Sequence, residues 1–180
     1  MADKTNEKRI GDRTIRLVKG DITTLEVEAF VFYASHDLKL GTGFGGAIAV
    51  RGGPTIQQQL DAVGRRAETT ESVVTDGGNL KAKYIIHAVG PRFQEQDLER
   101  KLRETVKGVL RTAEDNGIAR LAFPAMGCGF YGVPLELSAR VMFDTISGHL
   151  AGATQLNEVL VCLNDNRELN PFAAQLAALA

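Results

Sequence analysis

The chain has 180 residues, of which 44% are apolar, and a formal net charge of −1. That length suits one domain with its own core, and the balanced charge gives no global basic field for nucleic acid. No apolar run reaches the about 20 residues of a transmembrane helix, and the polar start lacks the apolar core of a secretory signal. The two cysteines, Cys128 and Cys162, form no disulfide framework and predict a reducing, cytoplasmic environment.

Strands and helices are predicted to alternate along the chain, which favours an α/β layered domain. Residues 1–11 are expected to be a flexible tail, and residues 12–180 a single domain. The strands are predicted at 14–18, 28–34, 71–75, 84–89, 121–125 and 158–163, and the helices at 47–51, 55–63, 95–116, 135–150 and from 167 or 170 onward. Several of these strands are apolar on both faces, as expected for central strands covered by helices.

The pattern Gly-x-Gly-Phe-x-Gly occurs twice, at residues 41–46 and 127–132. Each copy follows a predicted strand and precedes a predicted helix. Glycine lets backbone N–H groups approach an anion closely, and a helix N-terminus adds free N–H groups and a partial positive charge. Two such loops could hold one pair of phosphates from both sides, although tight turns alone would also explain the glycines.

Other nucleotide-binding patterns do not fit these loops. A dinucleotide-binding fold needs one unbroken helix after its glycines, but Gly52, Gly53 and Pro54 interrupt that segment. A P-loop needs a Gly-Lys-Ser/Thr ending, which neither copy has. Neither loop contains Lys or Arg, so a bound phosphate would have to be neutralised by backbone amides and helix ends.

Metal and cofactor sites are not predicted. The three histidines, His36, His87 and His149, are too far apart in sequence for a local zinc site. His87, in the middle of a buried strand, is predicted to be a core histidine. Cys128 lies between glycines with no evident partner base, so we expect a structural thiol.

Four stretches of the chain, in this order and spacing, resemble the macrodomain family, which binds ADP-ribose. They are Gly20-Asp21-Ile22-Thr23, the segment 38–48, the strand Ile86-His87-Ala88-Val89 with Gly90-Pro91, and the segment 123–134. The resemblance covers residues 12–178. It implies a three-layer α/β/α fold with a central mixed, largely parallel sheet, no cofactor and no metal.

The resemblance also implies a role for each matching residue. Asp21 would accept a hydrogen bond from the adenine amine, as an ionised acceptor suits, with the Ile22 amide beside the ring; a helix cap is the alternative for Asp21. Adenine would stack near Leu163 and Asn164, and Phe130 and Tyr131 would border the distal ribose. The phosphates would be held by amides of the two loops, at Gly41, Thr42, Gly43 and Phe44 and at Gly127, Cys128, Gly129, Phe130 and Tyr131. Ala125 and Met126, just before the second loop, are also predicted to bind the ligand.

The chain departs from the hydrolases of this family at two catalytic positions. Alignment through Ala47 and Ile48 puts Ser35 where those enzymes have the Asn that orients the distal ribose and water. The same alignment puts Gly45 at the usual catalytic Asp, and glycine offers no base. A second hydrolase branch uses an acid at the position of Phe130. Remaining candidates for a base are His36, Asp37 and Lys39, of which a histidine can titrate near neutral pH.

Three functions are therefore considered. The first is a binding module for ADP-ribose, either free or as the terminal modification of a macromolecule. The second is a divergent ADP-ribosyl hydrolase that uses His36 or Asp37 as its base. The third, a reader of nucleotides or RNA ends that uses the adenosine pocket, is less favoured because the net charge is balanced. None needs a membrane, and nucleic acid is expected as a partner only through modified ends.

Overall fold

The computed structural model describes residues 6–179, which contain a seven-stranded mixed sheet with helices on both faces. The predicted α/β/α class is confirmed. None of the helices in this range has the length and apolarity to cross a bilayer. The strands are β1 Glu7–Ile10, β2 Arg13–Lys19, β3 Ala29–Ala34, β4 Ser72–Asp76, β5 Tyr84–Val89, β6 Arg120–Phe123 and β7 Glu158–Leu163, and the helices are α1 Gly43–Gly52, α2 Thr55–Asp61, α3 Leu98–Asp115, α4 Leu135–Leu150 and α5 Asn166–Ala178.

The strand order is β1-β2-β7-β6-β3-β5-β4. The five inner strands run parallel, while β1 and β4 pair antiparallel at the two edges. The carboxyl ends of the inner strands therefore lie along one side of the sheet, where ligands bind in open α/β folds. The two glycine-rich segments follow β3 and β6, which are direct neighbours, so the topology brings them together.

The core lies on both faces of the sheet, and β3 shows how the sequence produces it. All six residues of this strand are buried. Because successive side chains point to opposite faces, Val31 and Tyr33 pack with α3, α4 and α5, while Phe30 and Phe32 pack with α1 and α2. The strand is apolar throughout because helices cover both of its faces.

The predicted N-terminal tail is shorter than expected. Residues 1–5 lie outside the described residues, but Glu7–Ile10 form β1 and pair with β2 through a two-residue turn at Gly11 and Asp12. Gly11 has a φ of 61°, which suits such a turn. An ion pair between Glu7 and Arg16 adds to this pairing. The strand was missed because it has four mostly polar residues at a sheet edge.

His87 is a core histidine, as predicted. It is fully buried on β5, and its Nε2 lies 3.0 Å from Thr75 Oγ1. The Thr75 hydroxyl donates its hydrogen to the Asp76 carbonyl, so Nε2 carries the proton and Nδ1 is left without a partner among residues 6–179. Burial lowers the pKa of His87 to about 3, so the ring stays neutral at physiological pH.

Candidate functional site

A cleft of about 770 Å³ opens at the carboxyl ends of β2, β3, β6 and β7. This volume lies in the range of small-molecule sites. The cleft brings together thirteen residues that the sequence predicted as ligand-binding, namely Asp21, Ile22, Ser35, Gly41, Thr42, Gly43, Phe44, Ala125, Gly127, Cys128, Phe130, Tyr131 and Asn164. The two glycine-rich loops thus face one shared space.

The first loop contains the N-terminus of α1. This helix was predicted to begin at residue 47 but begins at Gly43, with Thr42 as its N-cap. The amides of Gly43, Phe44 and Gly45 are the first three of the helix, which have no intrahelical acceptor. Thr42 makes no side-chain cap, and within residues 6–179 these amides donate to no other group. They form a ready anion site at the wall of the cleft.

Helix α2 holds this loop from behind. The Gln57 side chain accepts a hydrogen bond from the Leu40 amide (2.9 Å) and donates one to the Leu38 carbonyl (3.1 Å). Leu38 itself is buried with a φ of 57°, a left-handed conformation that is uncommon for a side chain of this size. These two hydrogen bonds tie the loop to α2, and the left-handed conformation of Leu38 strains part of its backbone.

The second loop is closed by its own backbone. Val133 donates to the Gly127 carbonyl and Gly132 to the Gly129 carbonyl, each at 3.0 Å. Gly127 has a φ of 75°, and a Cβ there would lie 2.6 Å from Val133. In the part of the chain that the structure describes, the amides of Gly129, Phe130 and Tyr131 have no acceptor. They give the cleft a second group of free donors.

Asp21 marks the opposite end of the cleft, after β2. Its Oδ1 accepts from the Thr23 amide (2.9 Å) and hydroxyl (2.6 Å), so it caps the 3₁₀ turn Ile22–Thr24. Its Oδ2 pairs with Arg51. Burial raises the pKa of Asp21, but the hydrogen bonds from Thr23 and Arg51 outweigh that effect and hold it below the usual value. The carboxylate is thus ionised, and Oδ2 retains room for another donor.

Side-chain cations contribute little to the cleft. The charged residues that line it are Asp21, Lys39 and Glu168, and Lys39 is paired with Asp61 at 2.7 Å. An anion bound here would therefore depend on the free amides and the α1 N-terminus. Burial raises the pKa of both cysteine thiols in the cleft to about 11, so they are protonated at neutral pH and poor nucleophiles.

Gly45 and Ser35, which align with the catalytic Asp and Asn of the family's hydrolases, differ from those residues in their local structure. A Cβ on Gly45 would lie 1.8 Å from the Leu40 carbonyl oxygen, so the position aligned with the catalytic Asp has no space for any side chain. Ser35 donates its hydroxyl hydrogen to Asp37 Oδ1 at 2.6 Å. That bond, and a second from the Lys39 amide, hold the pKa of Asp37 below its usual value, which makes it a weak base.

Some predicted residues do not line the cleft. Met126 and Leu163 are fully buried in the core beneath it, and Gly129 is not among the lining residues, although its amide is one of the free donors of the second loop. His36 and Asp37 also lie outside the cleft lining, and His36 Nδ1 is 2.7 Å from the Ala67 carbonyl. The ring of His36 is therefore tied to the segment after α2.

Several residues that line the cleft were not predicted from the sequence, among them Tyr33, Cys162 and Glu168. Tyr33 lies next to the second loop: its ring centre is 4.9 Å from that of Tyr131, with the two rings tilted by 59°, and its hydroxyl donates to the Pro91 carbonyl. Its apolar neighbours gave it the appearance of an ordinary strand residue. Glu168 is the third residue of α5, three positions after the cap Asp165, where an acidic residue usually serves the helix itself.

Comparison with known proteins identifies relatives of this chain. The family model described as "Macro domain" matches residues 33–142. The chain belongs to the macrodomain family. A macrodomain of Oceanobacillus iheyensis solved with ADP is 27% identical, with a TM-score of 0.90 over 96% of this chain and 94% of that one. A Trypanosoma brucei macrodomain solved in complex with ADP-ribose is also 27% identical, with a TM-score of 0.82 over 89% of this chain and 68% of that one.

A curated relative carries an enzymatic name. The O-acetyl-ADP-ribose deacetylase 1 of Pantoea vagans is 34% identical over 158 residues, which cover 84% of this macrodomain and 92% of the relative. The family includes named enzymes, so membership alone does not separate binding from hydrolysis.

Proposed function

We propose that this macrodomain binds ADP-ribose, free or as the terminal modification of a macromolecule, without hydrolysing it by the family's usual route. The observation that carries the proposal is that one cleft is lined by two loops with unpaired amides, at Gly43–Gly45 and at Gly129–Tyr131. Amides that are already in position can bind a pyrophosphate without reorganisation. The ADP and ADP-ribose in the structures of the related macrodomains support the same ligand class.

Recognition of adenine would come from the Asp21 end of the cleft. The free position on Oδ2 can accept the exocyclic amine of adenine, while Arg51 and Thr23 keep the carboxylate in place. Because the carboxylate accepts only, this contact favours a base that presents a donor there. The apolar surface of Ile22 and Phe32, which also line the cleft, would pack against the ligand.

Replacing Asp21 separates its two roles. We expect Asp21→Ala to weaken ADP-ribose binding by roughly 10- to 100-fold, the effect of losing a hydrogen bond to a charged group, and to destabilise the cap of Ile22–Thr24. Asp21→Asn is the matched variant, because Asn caps helices about as well but is a weaker, uncharged acceptor. Calorimetric titration and denaturant unfolding should show reduced affinity in both variants and reduced stability in the Ala variant alone. Unchanged affinity in both would remove Asp21 from the adenine contact.

Hydrolysis by His36 or Asp37 is the second candidate, supported only by their position beside Ser35 and the first loop. Their own hydrogen bonds, to the Ala67 carbonyl and to Ser35 and Lys39, argue against a base at the cleft. We expect no product when the protein is incubated with O-acetyl-ADP-ribose or an ADP-ribosylated protein and the mixture is analysed by chromatography. Product formation that is lost in His36→Ala or Asp37→Ala would establish the enzyme instead.

A further inference from the structure

Glu168 is a buried carboxylate in the cleft for which the fold provides no cation. It is 6% exposed and lines the cleft from the first turn of α5. Its Oε1 accepts a hydrogen bond from Asn164 Nδ2 at 2.9 Å. In the described range, Oε2 has no hydrogen-bond partner and no Lys, Arg or His forms an ion pair with Glu168. Oε2 can therefore accept a hydrogen bond from a ligand in the cleft.

The side chain of Glu168 does not cap α5. Asp165 is the N-cap, and its side chain already accepts from the Glu168 amide at 3.1 Å. In a capping box the Glu side chain would return to the amide of the cap residue. Here it bonds to the Asn164 side chain instead, so its contact lies on the cleft side of the helix end.

Glu168 lines the cleft together with residues from both halves of the site. Cys128 and Cys162 belong to the same lining. Cys162 Sγ lies 3.4 Å from the Gly20 carbonyl, next to Asp21, whereas Cys128 belongs to the second loop. A ligand with adenine at Asp21 and phosphates at the loops must cross this region with the sugar that joins them.

We propose that Glu168 accepts hydrogen bonds from the 2′- and 3′-hydroxyls of the adenosine ribose and so makes the cleft selective for ligands with a free diol at this sugar. This inference rests on the proposed function. A carboxylate accepts from hydroxyl donors, and its negative charge repels a phosphate at the same position. The cleft then distinguishes ADP-ribose from its 2′-phosphorylated counterpart at the adenosine sugar, remote from the modified macromolecule.

Calorimetric titrations with ADP-ribose, 2′-phospho-ADP-ribose, ADP and 2′-deoxy-ADP test this assignment. We expect wild-type protein to bind 2′-deoxy-ADP about 10-fold more weakly than ADP, and 2′-phospho-ADP-ribose at least about 100-fold more weakly than ADP-ribose. In Glu168→Gln the preference for ADP over 2′-deoxy-ADP should fall below about 3-fold. The preference for ADP-ribose over 2′-phospho-ADP-ribose should be about 10-fold smaller than in wild type. Glu136→Gln, an exposed acid in the first turn of α4, is the control with the same change of charge and should keep both wild-type ratios.

The outcomes separate this inference from the proposed function. Failure of wild-type protein to bind ADP-ribose would overturn the proposed function and this inference with it. If ADP-ribose binds and the two ligand preferences are the same in wild type and Glu168→Gln, only the role of Glu168 is overturned. If the variant fails to fold, the wild-type comparison still decides, because equal affinity for ADP and 2′-deoxy-ADP would contradict a hydrogen bond to the 2′-hydroxyl.

Discussion

Replacing Thr42 by Asp is expected to stabilise the protein and to abolish its binding of ADP-ribose. Thr42 has an extended N-cap backbone, with φ −107° and ψ −174°, but its side chain makes no cap. An Asp here would accept from the Phe44 or Gly45 amide and complement the α1 dipole, which should raise the free energy of unfolding by roughly 1 kcal/mol. The same carboxylate would occupy and repel the phosphate site, so affinity should fall by more than about 100-fold.

Thr42→Asn is the matched control for this experiment, because it supplies the cap without the charge. It should stabilise the protein to a similar degree and weaken ADP-ribose binding less than Asp does. Unfolding by denaturant and calorimetric titration on the same preparations give both quantities. If Thr42→Asp is stabilised and still binds with wild-type affinity, the phosphates do not use the α1 N-terminus.

Substitution of Gly45 is expected to lower both stability and affinity strongly, because the fold leaves no space for a side chain at this position. In Gly45→Ala the new Cβ would lie 1.8 Å from the Leu40 oxygen and 2.6 Å from its carbonyl carbon. Both are backbone atoms of a loop held by Gln57, so relief requires the first loop to move. We expect a loss of roughly 3 kcal/mol in the free energy of unfolding and a large loss of affinity. Gly45→Asp should be at least as unstable, and should not regain hydrolysis.

Gly46→Ala is the control, because it lies in the same turn of α1 and its Cβ would lie 3.3 Å from the Gly41 oxygen. Its stability should change little, since the better helix propensity of Ala, worth about 1 kcal/mol, offsets the close contact. If Gly45→Ala were as stable as wild type, the first loop would have space for a side chain at position 45. A catalytic acid at this position would then be possible.

The fold was largely predictable because its signals are local. The six apolar residues of β3 and the amphipathic pattern of α3 follow from periodicity, and the order of the motifs indicated the family. The start of α1 was not predictable in this way. Gly43, Gly45 and Gly46 have poor helix propensity, and the helix reaches back to Gly43 because tertiary contacts from Gln57 fix the loop before it.

The lining of the cleft was predictable where the glycine patterns define it and was missed where it depends on long-range packing. The two glycine patterns indicated both loops directly, because their residue type restricts what the backbone can do. Glu168 and Tyr33 carry no local signal, since their approach to the cleft depends on how α5 and β3 meet the second loop. The exclusion of a side chain at Gly45 likewise follows from a single contact with Leu40 across the loop.

Backbone amide chemical shifts during a titration with ADP-ribose test the central claim most directly. If main-chain nitrogens bind the pyrophosphate, the amides of Gly43, Phe44 and Gly45 and those of Gly129, Phe130 and Tyr131 should shift together and saturate at the calorimetric affinity. Saturable binding that leaves these two groups unchanged, or the absence of saturable binding, would contradict the account.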